Sequence, residues 1–134
     1  MAGEDWNHGH TRASGRATAQ TAAVATVASL AHNADSTIVV YVNVLVTTAT
    51  AHSITVTVAY TDEGNSARTL TLPFCQLAGT IITAITNITG AGPYEGVPVV
   101  LRVKSGTTTT VATTGTFTDL VYSVEARIVV LDGS

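Results

Sequence analysis

Few residues of this 134-residue chain could do chemistry, and their spacing argues against most of it. Four histidines, His8, His10, His32 and His52, are the natural metal ligands and proton carriers. His8-Gly-His10 could close on a metal, but no thiol or carboxylate stands at a fixed spacing to complete the set, so the pair reads as solvated histidines. His52 falls in a hairpin turn and is expected to be exposed. Asp62 and Glu63 belong to a turn, while Asp35, Asp119 and Asp132 stand at strand boundaries, where such residues cap and punctuate. Glu125 and Arg127 share one parity of the last strand, which suggests a same-face pair rather than an acid and a base. No serine sits in a Gly-x-Ser-x-Gly elbow. Gly90-Ala-Gly92 runs into a proline instead of a helix, so it makes no phosphate loop. Cys75 is the single cysteine and reads as a small buried hydrophobe. With no nucleophile–base pair to assemble, the chain is expected to be non-enzymatic, with no cofactor and no metal.

The elements that would carry these residues are strands. Thr37 to Thr48 gives the strongest signal, with Ile38, Val40, Val42, Val44 and Val46 on one face and Val39, Tyr41, Asn43 and Leu45 on the other. Both faces are largely apolar, so this strand is expected to be central or covered on its second face by another subunit. Ser53 to Thr61 alternates cleanly, with Ile54, Val56, Val58 and Tyr60 inward and threonines outward. Asp62-Glu-Gly-Asn65 turns it into Ala67 to Phe74, a hairpin that Pro73 ends. Val97 to Lys104 and Thr116 to Leu131 are further strands, and Thr107 to Thr114 is a weakly patterned one. Alanine content alone would allow a helix over Ala17 to His32, but its threonines, valines and neighbours favour a strand. Gly90 to Gly96 reads as a loop, with Tyr94 as its exposed aromatic. Seven or eight short strands between turn signals predict an all-β, antiparallel β-sandwich, jelly-roll-like, over residues 17–134.

Residues 1–16 have no apolar period and contain three glycines, which predicts an extended, flexible N-terminal arm. Trp6, the only tryptophan, either anchors a neighbouring subunit or folds back onto its own domain. The candidate partner contacts are therefore Trp6, His8, His10, Arg12 and Arg16 of the arm, with Tyr94 beside them.

Composition narrows the classes further. Charged residues make up 11% of the chain, against roughly 25% in an average soluble protein. Disorder requires the opposite balance of charge and β-branching. Six basic residues against nine acidic ones argue against nucleic acid. No window holds roughly 18 uninterrupted apolar residues, so no membrane span is expected. The acidic start lacks the basic region of a secretory signal, and threonine and glutamine interrupt residues 17–32 too often for a signal core. Leaderless synthesis in the cytoplasm is the expectation. Without a secretory signal, the sequon-like Asn87-Ile-Thr89 reads as chance. A surface so poor in charge is weakly defended against association, which raises the question of what covers it.

Two stretches, Tyr60-Thr-Asp-Glu-Gly-Asn-Ser-Ala-Arg-Thr-Leu-Thr-Leu-Pro73 and Gly115-Thr-Phe-Thr-Asp-Leu-Val-Tyr-Ser-Val-Glu-Ala126, carry a pattern that resembles small β-sandwich structural proteins of tailed-bacteriophage virions. The likeness runs over most of residues 17–131 and rests on turn and core signatures, not catalytic ones. It implies a virion component, such as a capsid decoration (cement) protein or a head or tail accessory subunit. The partners it implies are further copies of the chain, often as trimers, and the major capsid protein or other virion subunits. Two rival readings stay open. One is a receptor- or carbohydrate-binding domain of a tail fibre or adhesin, and the other is a self-polymerising filament subunit.

Overall fold

The computed structural model describes residues 10–48, 53–76, 84–117 and 120–132. Among these there is no helix, and the strands form two antiparallel sheets packed face to face. The larger contains β1 (His10–Gln20), β11 (Val121–Asp132), β3 (Ser36–Thr48), β8 (Gly92–Gly96), β6 (Phe74–Gln76) and β7 (Ala84–Ile85), in that order, and β9 (Val99–Val103) pairs with β3 beyond β8. The smaller runs β2 (Ala28–Ala31), β10 (Thr108–Thr116), β4 (Ser53–Thr61), β5 (Ala67–Thr71). The chain crosses repeatedly between the sheets, and its first and last strands lie side by side, so the sandwich is wound as a jelly roll.

Period-two alternation explains the best-read elements. Ile38, Val40, Val42, Val44 and Val46 of β3 are buried against Ile54, Val56 and Val58 of β4, and β11 adds Tyr122, Val124, Ala126, Ile128 and Val130. β4 keeps the bounds and inward set expected of it, except that Tyr60 is only half-buried.

Other segments depart from expectation. The arm boundary at residue 16 falls inside β1, which pairs with β11 from His10 opposite Val130 to Gln20 opposite Tyr122. Residues 10–16 are thus an edge strand of the domain. Their inward alternation is made by small residues, Ala13, Gly15 and Ala17, which carry no hydropathy signal. Gly15 has to be small: a Cβ there would stand 1.7 Å from the Val27 carbonyl oxygen, where the chain passes on the way to β2.

Ala17 to His32 is not one strand. β1 ends in a bulge where Ala19 takes a positive φ of 53°, and the chain then crosses to the smaller sheet. Tyr122 fixes that crossing. Its hydroxyl donates to the Ala22 carbonyl (2.6 Å), so the Thr113 hydroxyl, 2.7 Å away, donates to Tyr122 while accepting the Val24 N–H at 2.8 Å. Burial pushes the Tyr122 phenol up, and the Thr113 contact partly opposes it.

Gly90–Gly96 is likewise more than a loop: Gly92–Gly96 is β8, and Tyr94 is a core residue donating its hydroxyl proton to Gly90 O. The strand can close on β3 because Gly96 has no Cβ, which would meet the Val42 carbonyl oxygen at 2.6 Å.

Candidate interaction surface

With the inner faces spent on the core, the outer faces are what the molecule offers to others, and the two differ in chemistry. On the smaller sheet the outward positions of β4 are Ser53, Thr55, Thr57, Ala59 and Thr61, and those of β10 are Thr108, Thr110, Ala112, Thr114 and Thr116. β2 and β5 continue the pattern with Ser29, Ala31, Thr69 and Thr71. None of these is charged and none is larger than threonine. Some of the hydroxyls satisfy one another, as Thr55 and Thr114 do across the β4–β10 pair at 2.7 Å.

The outer face of the larger sheet is built in cross-strand rows. One row runs Val129–Val39–Val100 across β11, β3 and β9. Beside it Arg127 lies over the half-buried Tyr41 ring, 5.1 Å from its centroid, which holds a cation against an aromatic face. A third row crosses four strands as Arg16–Glu125–Asn43–Glu95. Arg16 Nη2 donates to Glu125 Oε2 (3.3 Å). The Asn43 amide, oriented by its hydrogen-bond partners, donates to the Glu95 carboxylate (2.6 Å to Oε2 and 2.9 Å to Oε1). The fourth row is Ser123–Leu45–Pro93. A cleft of about 480 Å3 opens over the last two rows, walled by their charged and polar groups and floored by Leu45 and Pro93. That volume is within the range of small-ligand sites. Leu45 (46% exposed), Val100 (63%) and Leu131 (37%) are the exposed large hydrophobic residues among those described. Leu45 and Val100 stand on this sheet's outward side, and Leu131 falls at the register shift between Val130 and Asp132.

The expected site residues scatter over this picture. Trp6 and His8 lie outside the described residues, as does the His10 side chain, although the His10 backbone pairs with Val130. Arg12 is exposed on β1, next to a register shift. Arg16 belongs to the charged row. Tyr94, expected as an exposed ligand contact, is 3% exposed and packs under the cleft, so its phenol is unavailable to a partner. Glu125 and Arg127 do not pair with each other: the glutamate goes to Arg16 and the arginine to Tyr41. Cys75 is half-buried, and His52 lies outside the described residues. Among the described residues no three His, Cys, Asp or Glu side chains gather as metal ligands would.

Asn43 and Glu95 are site residues that the sequence alone did not single out. Their signal was present only as outward parity on neighbouring strands, and the pairing register had to be known before they met.

The remaining charges clasp one end of the sandwich. Arg102 on β9 reaches Glu63 of the β4–β5 turn (2.7 Å), Asp132 of β11 (3.1 Å) and the Thr37 hydroxyl (2.6 Å). The Thr37 N–H holds the Asp132 carboxyl below the usual carboxylate range. Asp62 is held low in the same way by Arg68, 2.8 Å away. These exposed pairs order a surface more than they stabilise it.

No protein-family model and no curated protein matches the chain. Among solved structures it is similar to the Eiger TNF of S. frugiperda, at 12% identity over 95% of this chain and 90% of that one, with a TM-score of 0.43. A likeness that slight and that remote in sequence says nothing about what this chain does.

Proposed function

We propose that the chain is a non-enzymatic structural subunit of a tailed-bacteriophage virion, a capsid decoration or cement protein. It oligomerises and binds the capsid through the outer face of its larger sheet, and the segment ahead of β1 reaches an adjoining subunit through Trp6. The supporting observation is that Leu45 and Val100 stand exposed on one outer face while the outward positions of the other bear only Thr, Ser and Ala. Exposed large apolar side chains set among polar and charged groups are the anatomy of an association surface. The virion setting rests on the sequence pattern at residues 60–73 and 115–126.

The reading is tested by searching purified virions for the chain's peptides and by weighing the purified protein by light scattering, with and without Val100→Glu. Expected are peptides at structural copy number, and an oligomer that Val100→Glu reduces to single chains. Absence from the particles, or a monomer indifferent to the substitution, overturns it.

The cleft favours a second reading, a receptor- or carbohydrate-binding domain of a tail fibre or adhesin. Carboxylates, a guanidinium and an amide over an apolar floor suit a polyhydroxylated ligand. Glycan-array binding lost on Asn43→Ala would favour this reading over decoration.

A further inference from the structure

His32 follows the four-residue strand β2 and is 2% exposed. Its Nε2 lies 2.7 Å from Thr109 Oγ1, and its Nδ1 is buried without a hydrogen-bond partner among the described residues. Its backbone ties the same place together, since His32 N–H donates to Thr107 O (2.9 Å) and Gly106 N–H donates to His32 O (2.8 Å). We propose that His32 is a proton-operated latch: neutral, it closes the end of the sandwich where β2 meets the β9–β10 turn, and protonated, it releases β2 and that turn while the rest of both sheets stays folded.

Hydrogen-bond capacity separates the two states. A neutral imidazole has one donor and one acceptor nitrogen, so one bond to Thr109 leaves a single uncharged atom unsatisfied. Protonation makes both nitrogens donors and charges the ring, and Thr109 can accept only one of the two bonds. The other N–H is then a buried, charged, unpaired donor, far costlier than the neutral orphan. The neighbouring elements bring little to offset it. β10 presents Thr109, the β2–β3 connection brings Asp35, and the β9–β10 turn brings Lys104 and Thr107. Asp35 Oδ1 accepts the Ser105 N–H at 2.9 Å. Burial, not a neighbouring charge, holds the imidazole below its ordinary 6.5.

The released part is small because, among the described residues, β2 pairs only with β10, from Ala28 to Ala31, whereas β10 is also held by β4 from Thr110 to Thr116. The sign follows from the neutral form being favoured in the closed state. Closure is complete above the unfolded value of 6.5 and weakens as pH falls below it. The opening constant should rise roughly tenfold per pH unit until the closed-state value is reached.

The test is amide hydrogen exchange by NMR between pH 5 and 8, corrected for intrinsic rates, on protein carrying His8→Gln, His10→Gln and His52→Gln so that His32 is the sole histidine. The ring itself is followed by its carbon-bound proton. Expected are a ring titrating below 6.5 and exchange at Ser29 to His32 and Gly106 accelerating tenfold per unit, while β3 and β11 stay unchanged. Adding His32→Gln, which keeps a donor for Thr109 but cannot titrate, should abolish the acceleration. A ring titrating at or above 6.5, or protection of β2 that ignores pH, overturns the latch even if the glutamine variant does not fold.

Discussion

The two outer faces of this sandwich enclose one apolar core, yet they are finished differently. Over the smaller sheet every outward position is threonine, serine or alanine, and hydroxyls such as those of Thr55 and Thr114 bond to each other. Over the larger sheet, valines, a leucine and a tyrosine alternate with a row of ionised and amide side chains that spans four strands. A β-branched hydroxyl side chain suits the pleated backbone while leaving water a partner, so the first face is complete as it stands. The second keeps large apolar groups in water beside charges that could be satisfied elsewhere. Low overall charge is therefore a property of one face, and the other holds most of what the strands have to offer a partner.

The contrast can be broken most severely at β1, which supplies the edge of the larger face. Gly15→Ala drives a methyl into the Val27 carbonyl and should lower stability by about 3 kcal/mol, measured by urea unfolding. A shift under 1 kcal/mol would mean that β1 is not packed as described.

Next comes the difference between threonines inside and outside the smaller sheet. Thr113→Val removes a hydroxyl that serves both Val24 N–H and Tyr122, and should cost roughly 2 kcal/mol. Thr57→Val, on the outer side of the same sheet, should stay within about 0.5 kcal/mol.

Association sharpens the comparison further. Val100→Glu should weaken self-assembly by roughly tenfold or more, about 1.4 kcal/mol, in sedimentation equilibrium, while Ala112→Glu on the threonine face leaves it unchanged. Equal effects from the two would erase the distinction between the faces. The smallest effect is expected at the surface pair: Thr55→Ala should cost about 0.5 kcal/mol in thermal unfolding.

What could be read directly from the residues was whatever alternates strongly. β3, β4 and β11 declare themselves because large apolar side chains recur every second position. β1 does not, because Ala13, Gly15 and Ala17 serve the same alternation with little side chain, the space being taken by Val27 and Ala28. Tyr94 was concealed by its neighbours, since Gly90-Ala-Gly-Pro has loop composition and only the close approach of Gly96 to Val42 lets the segment around Tyr94 pair as a strand. The charged row was illegible for another reason. Arg16, Asn43, Glu95 and Glu125 come from four distant segments, and only the register of β1, β11, β3 and β8 brings them into line. His32 gave no period to read, and its meaning depends on an atom that lacks a partner.

The pairing of β1 with β11 also sets an order of events. Among the described residues β1 ladders with β11 alone, and contacts such as Arg16 with Glu125 close loops of 109 residues. During synthesis β1 leaves the ribosome well before β11, and this pairing stays open until the residues between them have emerged. Contacts that distant form slowly, and an unpaired strand is exposed to other chains in the meantime. The polar, glycine-bearing sequence of β1, whose apolar residues are alanines, is well suited to that wait, because it offers little for a foreign strand to bury.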